Sequence, residues 1–283
     1  MAFRAGRFTL HSVLDGFYRL DGGSMFGIVP RAVWAGEHPP DEQNRIELAL
    51  RCLLVDTGER KVLVDTGIGD KLAKAEQVLF AVDRSRYNLD AELARAGVSR
   101  EGITDVVLTH LHFDHAGGTT IRRPDGRMEL AFPNASYHLQ RRHWKWAHHP
   151  TDRDRSFFID ENFLLLEQSG RLHLVEGECE LCEGVHLLVS EGHTVGGQLV
   201  RVESEGVQVI FCGDLVPTRA HLAPSFQMAF DLHPLTMLEE KRMLLAQALE
   251  DEAILFLQHD PKVAALRVRE VDGLIVAGDT VAF

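Results

Sequence analysis

Cysteine is scarce in this chain, long apolar runs are missing, and basic residues are outnumbered. The four cysteines, Cys52, Cys179, Cys182 and Cys212, are too few and too scattered for a disulfide framework. Cys52 and Cys212 sit inside apolar runs and read as small core hydrophobes. Cys179-x-x-Cys182 lacks the second pair that a zinc ribbon needs, and its acidic flanks oppose thiolate formation. No run of about 18 apolar residues exists, so no membrane-spanning helix is expected. The first ten residues carry no apolar leader core, and a cytoplasmic location is expected. Lys plus Arg number 30 against 42 Asp plus Glu, a net charge of -12 that argues against nucleic acid as a partner. The one basic cluster, Arg141-Arg142-His143-Trp144-Lys145, reads as the solvated face of a helix.

What is present suits an enzyme. A chain of 283 residues with 45% hydrophobic content can bury a large core, and residues 1–283 are expected to form a single domain. Strands are predicted at 49–55 and 61–65 around the turn Asp56 to Arg60, then at 106–109, 185–189, 197–203 and 207–212, with a last one at 253–257. Helices are predicted near 90–96, over 138–147 and 156–168, and from the capping box Thr236-x-x-Glu239 through Glu250. A β-rich stretch followed by helices thus occurs twice. The expected class is α+β, an αββα four-layer sandwich with two facing mixed sheets and helices on both outer faces.

The most informative segment is Thr109-His-Leu-His-Phe-Asp-His-Ala-Gly-Gly118. His110, His112, Asp114 and His115 place three imidazoles and a carboxylate within six residues, directly after an apolar strand. Positions i, i+2, i+4 and i+5 point in different directions on a regular helix. An irregular strand-to-helix loop lets them face two neighbouring ions instead. Three further candidates end later strands: His193 in Glu191-Gly-His-Thr194, Asp214 in Cys212-Gly-Asp214, and His259 after the last strand. Five His and two Asp form a ligand set suited to zinc, iron, manganese or cobalt. A non-catalytic module holding a structural metal is the remote alternative, but such a site closes at four ligands.

His-x-His-x-Asp-His, Gly-His-Thr, Gly-Asp and a late His, in this order, resemble the metallo-β-lactamase-fold hydrolases. Asp65, in Leu63-Val-Asp-Thr-Gly67, resembles the early Asp-x-Gly turn of that family. The resemblance implies two divalent metal ions, most simply Zn2+. His110, His112 and His193 would hold one ion and Asp114, His115 and His259 the other, with Asp214 bridging. It also implies hydrolysis by a metal-bridging hydroxide, with Asp114 and Asp214 as the catalytic carboxylates. Asp214 separates the chain from true β-lactamases, which lack that carboxylate. Only 24 residues follow His259, against the helical substrate domain of glyoxalase II. The flavodiiron and RNA-processing branches are set aside because no flavodoxin-like module or basic arm is seen.

The stretches Gly22 to Pro30, Gly213 to His221 and Phe230 to Thr236 resemble the stand-alone quorum-quenching N-acyl-homoserine lactonases in particular. A small ester or lactone is the implied substrate, with an arylester or phosphotriester hydrolase similar to methyl parathion hydrolase as the alternative. A homodimer is compatible with this resemblance. One departure stands out: lactonases of this branch carry Tyr three residues after the bridging Asp, where this chain has Pro217, with Thr218 and His221 as the nearest donors. An apolar substrate pocket is expected from Met25, Phe26, Trp34 and Phe226, with His221 beside them.

Overall fold

The computed structural model describes residues 2–283. Its strands are β1 (Ala2–Ala5), β2 (Phe8–Asp21), β3 (Arg45–Asp56), β4 (Lys61–Val64), β5 (Asp105–Val107), β6 (Thr120–Arg122), β7 (Met128–Leu130), β8 (Ser136–Gln140), β9 (Leu172–Val175), β10 (Cys179–Cys182), β11 (Val185–Ser190), β12 (Gly197–Ser204), β13 (Val207–Phe211), β14 (Ile254–Phe256), β15 (Ala265–Val271) and β16 (Leu274–Val281). They build two seven-stranded sheets, in the orders β1-β2-β3-β4-β5-β8-β9 and β10-β11-β12-β13-β14-β15-β16, beside a small β6-β7 ribbon. Both sheets are mixed: β4, β5, β8 and β9 pair in parallel, as do β13 and β14.

Period-two alternation makes the layers. On β3, Leu53 and Val55 face Val200, Val202, Phe211 and Phe256 of the other sheet in a core between the two sheets. Cys52 and Leu54, one residue out of phase, pack outward with Leu89, Leu93 and Trp144. The second sheet does the same: Ile210 and Leu255 face outward onto Met237, Leu244 and Leu245 of the helix Pro234–Glu250. The expected αββα sandwich is therefore what forms.

Several local expectations are corrected. Residues 138–140 belong to β8, slotted in parallel between β5 and β9, and the helix starts only at Arg141; the open place in the sheet outweighs local helical preference. The 156–168 stretch is helical as expected but in three pieces, a 3-10 turn at Arg155–Phe157 and short α-helices at Asp160–Phe163 and Leu165–Ser169, and Phe158 between them forms an antiparallel bridge with His112. The long helix opens two residues before Thr236, with Pro234 in its first turn and no side-chain cap at His233, so the Thr236 box is not its start. β14 is not the last strand, since the β15-β16 hairpin follows it. The long β2 was also not foreseen.

Candidate metal centre

The chain segments carrying all seven candidate ligands each follow the carboxyl end of a strand. The 109–115 loop follows β5, His193 follows β11, Asp214 follows β13 and His259 follows β14, so the loops gather at one rim of the sandwich, outside carboxyl ends of strands. Asp65 ends β4 in a left-handed conformation, φ 58°. The loop it opens lies backbone against backbone on the 116–118 turn: a Cβ on Gly117 would collide with the Ile68 carbonyl, and one on Gly118 with that of Thr66. Those two glycines permit this contact between loops.

Three groups of side chains converge: His110, His112 and His193; Asp114, His115 and His259; and Asp214 with His110 and His115. In the first, His112 Nδ1 is 3.0 Å from His110 Nε2 and 3.2 Å from His193 Nε2. In the second, His115 Nε2 is 3.3 Å from His259 Nε2, and Asp114 Oδ2 lies 3.6 and 3.7 Å from them. Asp214 stands between. Its Oδ2 is 3.1 Å from His193 Nε2 and its Oδ1 is 3.1 Å from His259 Nε2.

The outer nitrogens define how the rings are protonated. His193 Nδ1 donates to Asp231 Oδ1 at 2.9 Å, His115 Nδ1 to Asp65 Oδ2 at 2.9 Å, and His259 Nδ1 to the Ala49 carbonyl at 2.8 Å. Thr109 Oγ1 donates to Asp65 and receives His110 Nδ1 at 3.1 Å. In neutral rings the inward Nε2 atoms then carry lone pairs. Lone pairs facing one another at about 3 Å, with Asp214 Oδ1 buried and accepting no hydrogen bond, are an arrangement that a cation relieves. These residues fit divalent metal ions, and carboxylates behind metal-binding imidazoles are the usual orienting device.

The electrostatics agree. Burial and neighbouring imidazoles hold His110 and His112 well below the ordinary histidine range. Burial also pulls His115 down, but Asp214 and Asp114 outweigh it and leave the ring well above that range; His193 is raised by Asp214 and Asp231 against the same burial. Asp214 is pushed up by burial, and His115, His193 and His259 more than reverse this, holding it well below the ordinary carboxylate range. The carboxylates thus favour positive charge at His115 and His193, whereas burial and crowding keep His110 and His112 neutral.

Beside the clusters lies a cavity of about 340 Å3 whose floor includes His112, Asp114, His193, Asp214 and His259. Its apolar walls come from Leu20, Met25, Phe80, Phe113, Phe157 and Phe230, with Arg19 and Arg45 also on its lining. Of the expected pocket residues, Met25 is on this wall. Phe26, Trp34, Phe226 and His221 are not; they stand behind it. Phe26 is fully buried, stacked on Trp34 at 5.2 Å and on His221 at 4.9 Å. His221 spends both nitrogens internally, on Thr218 Oγ1 and the Met25 carbonyl.

Other contributors were missed by sequence reasoning. Phe113 could have been found, since it sits in the metal motif between His112 and Asp114 in sequence; its ring stacks on Phe80 in the cavity wall. Asp231, Arg51 and Tyr18 carried no such signal. The Arg51 guanidinium is buried and donates to the carbonyls of Leu257 and Asp260 at 2.7 and 2.9 Å, gripping the turn that carries His259. The Tyr18 hydroxyl donates to Asp114 Oδ2 at 2.6 Å.

Two facing mixed sheets with His/Asp clusters at their rim define a metallohydrolase-type scaffold. The profile of the Metallo-beta-lactamase superfamily matches residues 48–259, and the chain belongs to that superfamily. An N-acyl homoserine lactonase of Bacillus cereus is 29% identical over 171 residues, 57% of this chain and 61% of the relative, so the match spans about three-fifths of that protein. A probable metal-dependent hydrolase of Staphylococcus aureus superposes with a TM-score of 0.89 at 29% identity, covering 99% of this chain and 100% of the other. A dizinc quorum-quenching lactonase in complex with a product superposes at 0.81, covering 100% and 97%, and at 21% identity that likeness is one of fold. No helix among the described residues is long and apolar enough to cross a membrane.

Proposed function

We propose that this protein is a binuclear metal-dependent hydrolase that opens a lactone or ester carrying an apolar chain, similar to an N-acyl-homoserine lactone. His110, His112 and His193 would hold one divalent ion, Asp114, His115 and His259 the other, and Asp214 both. The observation that carries this reading is the division of Asp214, one oxygen toward each cluster at 3.1 Å. Zinc suits the imidazole-rich set and is our choice, with iron, manganese and cobalt also compatible. Bound there, two divalent cations supply a water-derived nucleophile at neutral pH and polarise the scissile carbonyl.

The chain's own residues do the rest. Asp65 and Asp231 keep the His115 and His193 rings turned inward. Asp114, on the cavity floor, would receive the proton that water gives up on attack. The walls of Leu20, Met25, Phe113 and Phe230 exclude water and take up the apolar chain. Because ligands come from both sheets, we also propose that residues 1–283 act as one unit. The aromatic walls favour an aryl ester as a second reading.

A substrate panel on zinc-reconstituted protein tests the proposal: homoserine lactones of short and long acyl chain, aryl esters, a paraoxon-like triester and a cephalosporin. Turnover of the long-chain lactone is expected, and best turnover of the aryl ester would move the assignment to the second reading. Turnover confined to the triester or the cephalosporin would overturn both.

A further inference from the structure

β2 contains one extra residue relative to β3: Leu14 pairs with Arg51 and Phe17 with Ala49. The bulge falls at Asp15-Gly16, with Gly16 at φ 125°. One extra residue reverses the phase of a strand, and such bulges re-aim side chains near functional sites. Here the effect is visible. Leu10, before the bulge, lies in the core between the sheets, whereas Tyr18, an even number of residues later, lies with Met25 and Phe113 in the cluster that forms the cavity wall.

Tyr18 is 1% exposed, yet it contributes to the cavity lining beside the clusters. Its ring centroid is 5.8 Å from that of His259. Among the described residues it is the one hydrogen-bond donor to Asp114, at 2.6 Å to Oδ2, the oxygen that faces His115 and His259. The other tyrosines are engaged elsewhere: Tyr87 packs on Phe17, and the Tyr137 hydroxyl bonds the backbone of Phe132. A carboxylate turns easily about its terminal torsion, and Asp114 lacks the orienting partner that Asp65 and Asp231 give to the imidazoles.

We propose that Tyr18 is a positioning residue for the Asp114, His115 and His259 cluster, its hydroxyl fixing which carboxylate oxygen Asp114 presents to a divalent cation. This rests on the two-cation reading above. The bulge in β2 is the device that brings the hydroxyl there.

The test is Tyr18→Phe, which keeps the ring and its packing, compared with the parent and with Tyr137→Phe, which removes a buried hydroxyl far from the clusters. Metal-free proteins are titrated with zinc and with cobalt against graded chelator, following ions per chain and the visible spectrum of the cobalt forms. The parent is expected to bind two ions. Tyr18→Phe should keep one at parental affinity and bind the other about 10- to 100-fold more weakly, with one of two cobalt environments lost first. Tyr137→Phe should lose thermal stability with both affinities unchanged. Two ions held equally well in Tyr18→Phe and in the parent would overturn the positioning role alone. A parent that binds a single ion would overturn the two-cation reading and this proposal with it.

Discussion

The two ligand clusters are built differently. The His110, His112 and His193 cluster is three imidazoles from two loops, braced by Thr109 and Asp231. The Asp114, His115 and His259 cluster contains a carboxylate, and it leans on more of the molecule: Asp65, Tyr18, Arg51 and the Ala49 carbonyl. A neutral triad offers an incoming dication only lone pairs, whereas the second cluster brings a formal charge with it. Asp214 is what makes the difference tolerable, because it presents one oxygen to each. On the proposed two-ion reading, dications held close together would repel strongly even with screening, so a shared Asp214 would decide whether both stay.

The largest effect is therefore expected at Asp214. Asp214→Ala should keep the fold, bind about half the metal of the parent, and lose at least about 10²-fold in kcat. Elemental analysis beside steady-state kinetics reads both. Two tightly held ions per chain in the variant would break the comparison at its centre.

Removing one brace at a time sharpens it. Asp231→Asn disturbs the His193 ring, and Asp65→Asn disturbs the His115 ring. Each should weaken one ion by about 10- to 100-fold and spare the other. Chelator titration of the two variants would show opposite patterns. Identical loss of both ions in both variants would mean that the clusters are one cooperative unit.

The wall above the clusters gives the next smaller effect. Met25→Ala should raise KM for long-chain substrates roughly tenfold, with little change for short ones, since an apolar side chain leaves the cavity wall. Phe26→Ala, one residue along, removes a ring from behind that wall and should lower thermal stability by about 3–5 kcal/mol. Equal KM changes on short and long chains in Met25→Ala would remove the wall from the specificity argument.

This contrast also shows what could be read in advance. The seven candidate positions that the structure gathers at one rim were legible because metal chemistry demands particular side chains at strand ends, and the 109–118 loop announces itself in six residues. The layered fold was legible because β3, β12, β13 and β14 alternate or run apolar. The braces were not. Asp231, Arg51 and Tyr18 act through contacts between segments 38, 206 and 96 residues apart, and nothing in their neighbours advertises the partner. Tyr18 is the extreme case, since a bulge at Gly16 decides which face it joins. Met25 and Phe26 look equally apolar in sequence, and only the turn of the chain puts one on the wall and the other behind it. β8 was misread for the same reason, a vacant place in a sheet being a property of the whole fold.

His221 supplies the smallest effect and a control on both clusters. It lies beside the centre, contributes to neither cluster, and is fully engaged by Thr218 and Met25. Burial, with Lys241 nearby, lowers its pKa to about 3. In an unfolded chain the same imidazole titrates near about 6.5. Between those values the unfolded chain takes up a proton that the folded protein refuses, so stability is complete above about pH 6.5 and is lost as pH falls toward 3, at up to about 1.4 kcal/mol per pH unit. His221→Gln cannot titrate in this window, and its amide still reaches a carbonyl. The variant should keep both ions. In the metal-free state at pH 7.5 it should be less stable than the parent by about 1–2 kcal/mol through weakened bonding and stacking, and the gap should close near about pH 5 and reverse by about pH 4, as the parent alone loses stability through this imidazole. Denaturant melts across that range read the gap directly. A constant gap would show that the folded protein takes up a proton at His221 as readily as the unfolded chain, and loss of an ion in His221→Gln would show that it belongs to a cluster after all.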